Sequence, residues 1–452
     1  MEELALRARC WLLRNVIFPL GDRAFGQRTT ERLKFLEQAQ WWEPERLHCE
    51  RDRLLQTLIR TVYDEMPYYR DLMDSRRLKP GDIRSPADLY KLPIATKASL
   101  LAAYPERITR RTGQKTWEGR TSGSTGSNFA VRLDRETVGW YRASLLLAME
   151  WSGWRMGEPT LQTGMNQDLT LDRRLKNILM QCHYVPAYAL DDATLDHNLD
   201  IMERRRIRHL WGYPGSLYCI ARRARERGWN RPLTGMVTWG DNLFAHYRET
   251  METAFGARVT DTYGCAEGTH ISAQCPYTYH VHSLDVIVEY LDDNGDSAAS
   301  NSPGNIVFTR LHPGPMPLIR YRVGDLGVAG TGAKCECGRG YDTMESIQGR
   351  DTDIVTTPSG NRLIVHVFTG ILGKFPEIGE FQVVQEDPGG FQLKIVPREG
   401  FSAETAERIV SRLEGAGAAG MEIQIDLVDE IPIAPTGKRR FVVSRTSAAR
   451  TA

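Results

Sequence analysis

Arg120-Thr121-Ser122-Gly123-Ser124-Thr125-Gly126-Ser127-Asn128 places four hydroxyls and two glycines in the six positions from Thr121 to Gly126. Glycine loses backbone entropy in a helix, and Ser and Thr hydroxyls compete for backbone groups, so the run cannot hold a regular helix. It can turn several N–H groups and hydroxyls toward one anion, as backbone nests do. It is not a Walker A loop, because no Gly-Lys-Ser/Thr follows at the required spacing. A plain Ser/Gly surface turn is the competing reading. Phe129-Ala130-Val131-Arg132-Leu133 then alternates like a strand, so the loop is expected to join a hairpin. From Arg135 to Trp151 the pattern is helical.

Outward from the loop, residues 160–330 alternate short apolar runs with helical segments. Ile207–Pro214 precedes a helix to Gly228, Gly235–Gly240 precedes a helix to Phe255, and Arg258–Gly264 follows. Such repeats predict α/β layering with mostly parallel strands, whose ligands bind at the strands' carboxyl ends. Residues 1–75 read as a helical segment packed on a main domain at 76–350. Its stretch Leu4–Phe18 is amphipathic, and packing is favoured over a membrane-surface role. From 287 to 308 the chain turns to β character. After Gln348-Gly349-Arg350 the composition resets, and 351–452 read as a small, mobile α+β domain.

A chain of 452 residues exceeds one ordinary core. Its net charge of +1 gives no argument for nucleic acid. No apolar run is long enough to span a bilayer, and the N-terminus lacks the pattern of a signal peptide. The eight cysteines are too sparse for a secreted disulfide framework, so a cytoplasmic protein is expected.

Four further stretches carry chemistry. Asp261-Thr262-Tyr263-Gly264-Cys265-Ala266-Glu267 sets a ring that can stack on a base near a carboxylate that can hold Mg²⁺. Pro317–Asp325 places Asp325 after a glycine, suited to ribose hydroxyls. Gln348–Asp353 falls at the composition break, as a hinge would. Pro435-Thr436-Gly437-Lys438 puts a cation on a loop near the C-terminus. Each is weak alone.

In this order, the four and the opening loop resemble the adenylate-forming superfamily of acyl-CoA synthetases, peptide-synthetase adenylation domains and luciferases. Pro67-Tyr68-Tyr69-Arg70, Leu92-Pro93 with Thr96-Lys97, Arg320-Tyr321-Arg322 and Cys335-Glu336-Cys337-Gly338-Arg339 are similar to its phenylacetate–coenzyme A ligase branch. The resemblance implies a large adenylation domain and a small mobile lid. It implies that a carboxylate attacks the α-phosphorus of ATP, giving an acyl-adenylate that passes to coenzyme A. On that reading Thr121, Ser122, Gly123, Ser124, Thr125 and Gly126 cradle the outer phosphates, and Glu267 binds Mg²⁺. Tyr263 stacks on adenine, with Trp239, Gly240 and Asp241 along the base's other edge, and Asp261 and Gly264 are counted with the cofactor-binding residues. Asp325 holds the ribose, Arg350 lies at the hinge, and Lys438 bridges carboxylate and α-phosphate. Trp140, Tyr141, Trp211, Gly212, Tyr213 and Pro214 fall where the superfamily lines its acyl pocket, whose aromatic walls would suit an aryl or ring acid.

The sequence departs from the family at several points. Ala266 stands where Thr or Ser is frequent, and Asn128 where Pro is usual. Thr357-Pro358-Ser359-Gly360-Asn361 is not a close match to the loop that guides coenzyme A. An amine acceptor, or adenylyl transfer without coenzyme A, therefore stays open as the second half-reaction.

Cys335-x-Cys337-Gly338 forms a tight turn suited to two thiolates, and Cys275 and His280 lie upstream. Cys/His sets are the preference of structural Zn²⁺, so a site of Cys275, His280, Cys335 and Cys337 is expected. His282 could replace His280, since both lie on one side of a strand. The expected partner is a small carboxylate; a homodimer is compatible with the sequence.

Overall fold

The computed structural model describes residues 2–120, 130–165, 170–187, 190–292, 294–348, 355–359, 361–363, 365–431 and 441–444. The candidate phosphate loop Thr121–Gly126, Arg350 and Lys438 lie outside the described residues, as does the expected domain boundary at 350/351.

The large sheet holds eleven strands. Five are parallel, in the order Cys182–Pro186, Thr160–Gly164, His209–Gly212, Gly235–Thr238 and Val259–Cys265. His209–Gly212 and Gly235–Thr238 are buried throughout, as parallel strands covered on both faces must be. The connecting helices are bounded by local chemistry. Pro214 opens Pro214–Glu226 at a position where its missing N–H costs nothing, and Gly256, at φ +61°, ends Ala245–Phe255 in the left-handed region. Beyond Val259–Cys265 the sheet continues antiparallel through Thr269–Gln274, Tyr279–Val281, Thr343–Gln348, Tyr321–Ala329, Gly304–Arg310 and Val286–Leu291.

The expected hairpin around the opening loop is present: Trp117–Arg120 pairs antiparallel with Ala130–Leu133, Arg120 opposite Ala130. The helix Arg135–Trp151 follows, its first turn capped by the Asp134 carboxylate, which accepts from the Thr137 N–H at 2.8 Å.

Helices fill residues 2–75, and those from Thr29 onward pack well. Leu33, Leu36 and Ala39 bury against Ala143 and Leu147. Arg14 bridges Glu37 and Glu150. Burial pushes the Glu150 carboxyl up to about 7, although the Arg14 charge opposes this. A carboxyl whose folded pKa is raised contributes stability that is fully present below its unfolded pKa and is lost as pH rises through the folded one. Glu150→Gln should therefore flatten the fall of melting temperature between about pH 5 and 8, read by calorimetry at half-unit steps. An unchanged slope would remove Glu150 as its source.

The C-terminal domain is separate. Four strands lie in the order Glu422–Leu427, Gly390–Pro397, Ile378–Gln385 and Val442–Ser444. Helices Val365–Leu372 and Ala403–Leu413 close one core through Phe368, Val383, Leu393, Ile395, Ile409 and Leu413. Ile431 and Phe441, both buried, bracket 432–440.

Candidate active site and metal centre

Three residues immediately after parallel strands meet the C-terminal core: Met165 after Thr160–Gly164, Ala187 after Cys182–Pro186 and Tyr213 after His209–Gly212. The small domain thus covers the carboxyl ends of the sheet, where open α/β sheets bind ligands. Trp239, Gly240 and Asp241 follow the next strand; Tyr263 and Gly264 sit on the one after it, and Glu267 lies in the turn that ends it. Three of the five strand ends thus meet the small domain.

The motif residues form two hydrogen-bonded pairs there. The Tyr263 hydroxyl donates to Asp325 Oδ2 at 2.9 Å. The Tyr321 hydroxyl donates to Glu267 Oε1 at 2.7 Å. Burial, then the neighbouring carboxylate, pushes both phenols well above their ordinary range, so each stays a proton donor. Glu267 is 4% exposed. Its backbone carbonyl accepts from Arg310 Nη1 at 3.1 Å, and Arg310 Nη2 donates to the Met316 carbonyl at 2.6 Å. A fully buried guanidinium therefore fixes the turn that carries Glu267. Gly264 passes so near the neighbouring strand that a Cβ would sit 2.8 Å from the Thr269 carbonyl oxygen.

Several expectations need correction. Asp325, which follows a glycine in the sequence, lies not at a strand end but inside Tyr321–Ala329 at a bulge, where Gly324 at φ +99° breaks the register with Gly304–Arg310. Asp261 is buried between strands. Its two oxygens accept from Thr238 Oγ1 at 2.5 Å and the Tyr279 hydroxyl at 2.6 Å, and burial raises its carboxyl. It ties three strands together. Trp140 stacks on His312, with ring centroids 3.6 Å apart, on the side of Thr29–Ala39. Adjacent helical positions diverge by about 100°, so Trp140 leaves the pocket side to Tyr141. Trp211 packs on Trp154 in a buried cluster with Met149 and Val237. Gly212 is buried against Thr163, and Pro214 is buried in its helix. Tyr213 packs against the C-terminal core, and burial, then the charges of Tyr184, Tyr141 and Asp241, raises its phenol.

The four expected metal ligands meet closely. Cys275, His280, Cys335 and Cys337 bring their ligand atoms within 4.8 Å of one another. Cys275 Sγ and Cys335 Sγ are 3.6 Å apart, against the roughly 3.8 Å edge that a tetrahedron of 2.3 Å Zn–S bonds would give. His280 Nε2 lies 3.1 Å from Cys337 Sγ, while Nδ1 is 3.3 Å from the Tyr341 carbonyl. A donated Nδ1–H leaves the Nε2 lone pair facing the thiols, the usual arrangement of a ligating imidazole. His282 is not in the group; it lies beside His270, with ring centroids 5.0 Å apart.

Sequence reasoning missed Arg310 and the donor role of Tyr321. Arg310 had no signal, since nothing in Phe308-Thr309-Arg310 separates a buried arginine from a surface one. The Tyr321 hydroxyl was legible only as part of a family motif.

The chain shares its overall fold with 2-hydroxyisobutyryl-CoA ligase. Two structures of 2-hydroxyisobutyryl-CoA ligase superpose over 92% of this chain and 93% of theirs. The TM-scores are 0.61 for the complex with 2-HIB-AMP and CoA in the thioesterification state and 0.58 for the postadenylation state, at 18% and 19% identity. The chain's relatives carry two names. Phenylacetate-coenzyme A ligase of Thermus thermophilus is 22% identical over 81% of this chain and 85% of its own length, and Protein CapK of Staphylococcus aureus 20% over 83% and 84%. Residues 355–445 match the CapK C-terminal domain.

Proposed function

We propose that this protein adenylates a carboxylic acid with ATP and transfers the acyl group to coenzyme A. The observation that carries the reading is the joining of Tyr263 to Asp325 and of Tyr321 to Glu267, in a sheet three of whose parallel strand ends meet the C-terminal domain. Negative charge grows on the phosphoryl oxygens as the acid attacks, so preorganised donors and cations are what the step requires. Glu267, held by Tyr321 and by the Arg310-braced backbone, offers an oxygen to Mg²⁺; that ion would offset charge on the phosphates. Asp325 would accept from the ribose, and Tyr263, fixed by it, would present its ring to adenine. Lys438 and Thr121–Gly126 would contribute the remaining cation and anion cradle. Arg350 would lie at the hinge about which the lid, from 351 onward, moves. Tyr141 and Tyr213 favour an aryl or ring acid.

The rival acceptor is an amine, or none. It is favoured by the departure at Thr357–Asn361. ATP–pyrophosphate exchange over a panel of carboxylic acids should give signal with some ring acid. Product masses with coenzyme A, and separately with amines, decide the acceptor. Silence across the panel would refute adenylation.

Zinc is the ion we assign to Cys275, His280, Cys335 and Cys337. Four protein ligands leave no position for a reacting water, so the ion is structural. Its turn anchors the N-terminal helices: Arg339 stacks on Trp151 and Trp41 and donates to Gln40 Oε1 at 3.0 Å, and Gly340 N–H donates to the Gln40 carbonyl at 2.9 Å. Elemental analysis should find close to one zinc per chain. Cys337→Ala should lose it and lower the melting temperature by roughly 5–10 °C, for a loss of a few kcal/mol. A metal-free chain of unchanged stability would remove the site. Thiols that stay reduced suit a cytoplasmic setting.

A further inference from the structure

The N-terminal segment Glu2–Phe25 meets the rest of the protein through Cys10 and Leu13, both buried, Leu13 closing against Gly157, through the Arg14 ion pairs and through Phe18. Its other side is apolar and open: Trp11, Leu20 and Phe25 are 63%, 65% and 63% exposed. Helix Leu171–Leu179 adds Leu171, Leu175 and Ile178, spaced i, i+4 and i+7 on one stripe and each at least 60% exposed. Arg9 joins the two elements, donating to the carbonyls of Ile178 at 3.4 Å and Leu179 at 2.9 Å. Single exposed apolar residues are normal on a surface. Here ten of the fifteen strongly exposed large apolar side chains among the described residues fall on these two elements.

Charge identifies the occupant. Arg174 and Lys176 alternate with the stripe on Leu171–Leu179. Arg208 reaches Glu3 at 3.2 Å, so the exposed run Arg204-Arg205-Arg206 lies beside the start of the N-terminal helix. The face is therefore apolar and rimmed with cations. Pairing it with a second copy across a two-fold axis would set cations against cations. An anionic bilayer complements both features: apolar side chains enter the headgroup boundary while Arg and Lys reach the phosphates. No described helix is long and apolar enough to cross a membrane, so the contact would be interfacial.

We propose that Glu2–Phe25 and Leu171–Leu179 form one docking face for an anionic phospholipid surface. The test is co-sedimentation of the full chain with vesicles of phosphatidylcholine, alone or with about 30% phosphatidylglycerol. At about 50 mM salt, binding to the anionic vesicles should exceed binding to the neutral ones by roughly fivefold or more, and about 500 mM salt should release most of it. The double variant Trp11→Glu/Leu175→Glu should bind roughly tenfold more weakly, with an unchanged circular dichroism spectrum because both side chains already face solvent. The proposal is overturned by no binding to anionic vesicles, by binding indifferent to lipid charge and salt, or by a variant that binds as well as the parent. A dimer in solution that the double variant dissociates would also overturn it, assigning the face to a second copy.

Discussion

Glu267→Gln lowers ATP–pyrophosphate exchange by about 10²-fold or more while leaving the protein folded. Gln has the same length and keeps an oxygen for the Tyr321 hydroxyl, 2.7 Å from Glu267 Oε1. The Arg310 bond is made to the backbone carbonyl and does not depend on the side chain. What the substitution removes is the negative charge. A neutral amide is a poor ligand for Mg²⁺, which prefers carboxylate and phosphate oxygens. Losing one preorganised electrostatic contact in a dry site costs about 3–4 kcal/mol of transition-state stabilisation. The apparent affinity for Mg²⁺ should fall too, so raising Mg²⁺ should recover part of the rate. Tyr321→Phe provides the comparison: it keeps the charge and loses one hydrogen bond to it, worth about 1.5–3 kcal/mol, so its loss should be smaller. Exchange by Glu267→Gln within threefold of the parent, at low Mg²⁺, would show that Glu267 holds no catalytic cation.

The two parts of the molecule differ in how far local sequence reveals them. The parallel strands were legible because each, as in Ile207–Pro214 and Gly235–Gly240, is a short apolar run closed by a turn and followed by a helix. The metal ligands were legible because their types and spacing are restrictive. The choice between His280 and His282 was not, since strand periodicity puts both on one side; the Tyr341 carbonyl, 61 residues downstream, orients His280. Trp140 and Tyr141 illustrate the same limit on a helix. Neighbours in sequence enter different environments, and the deciding partner, His312, lies far along the chain. Asp261 reads as a site residue because it precedes Tyr263 in the motif, yet its hydroxyl partners Thr238 and Tyr279 come from two other strands. Long-range pairing fixed each outcome that local pattern left open.

Lys438→Ala should separate the two half-reactions. Exchange of pyrophosphate into ATP should fall by about 10³-fold, or about 4 kcal/mol, while transfer from a supplied acyl-adenylate to coenzyme A stays within about threefold. The difference follows from where charge develops. During adenylation a carboxylate approaches a phosphate, two anions that a single bridging cation can hold together. During thioester formation the acyl-adenylate already exists, and the required approach is that of a thiol to a carbonyl. A lysine delivered by a lid serves the first step and is removed for the second. The position suits delivery. Phe441 is buried in the C-terminal core and Val442 pairs with Val383, so the chain is anchored three residues beyond Lys438. The substitution should not unfold the domain, because those anchors and the core of Phe368, Leu393 and Ile409 are untouched. Exchange within tenfold of the parent would exclude Lys438 as the bridging cation. Equal loss of both half-reactions would instead place it on a group common to the two, such as the AMP phosphate, and the lid would then have no need to withdraw it between steps.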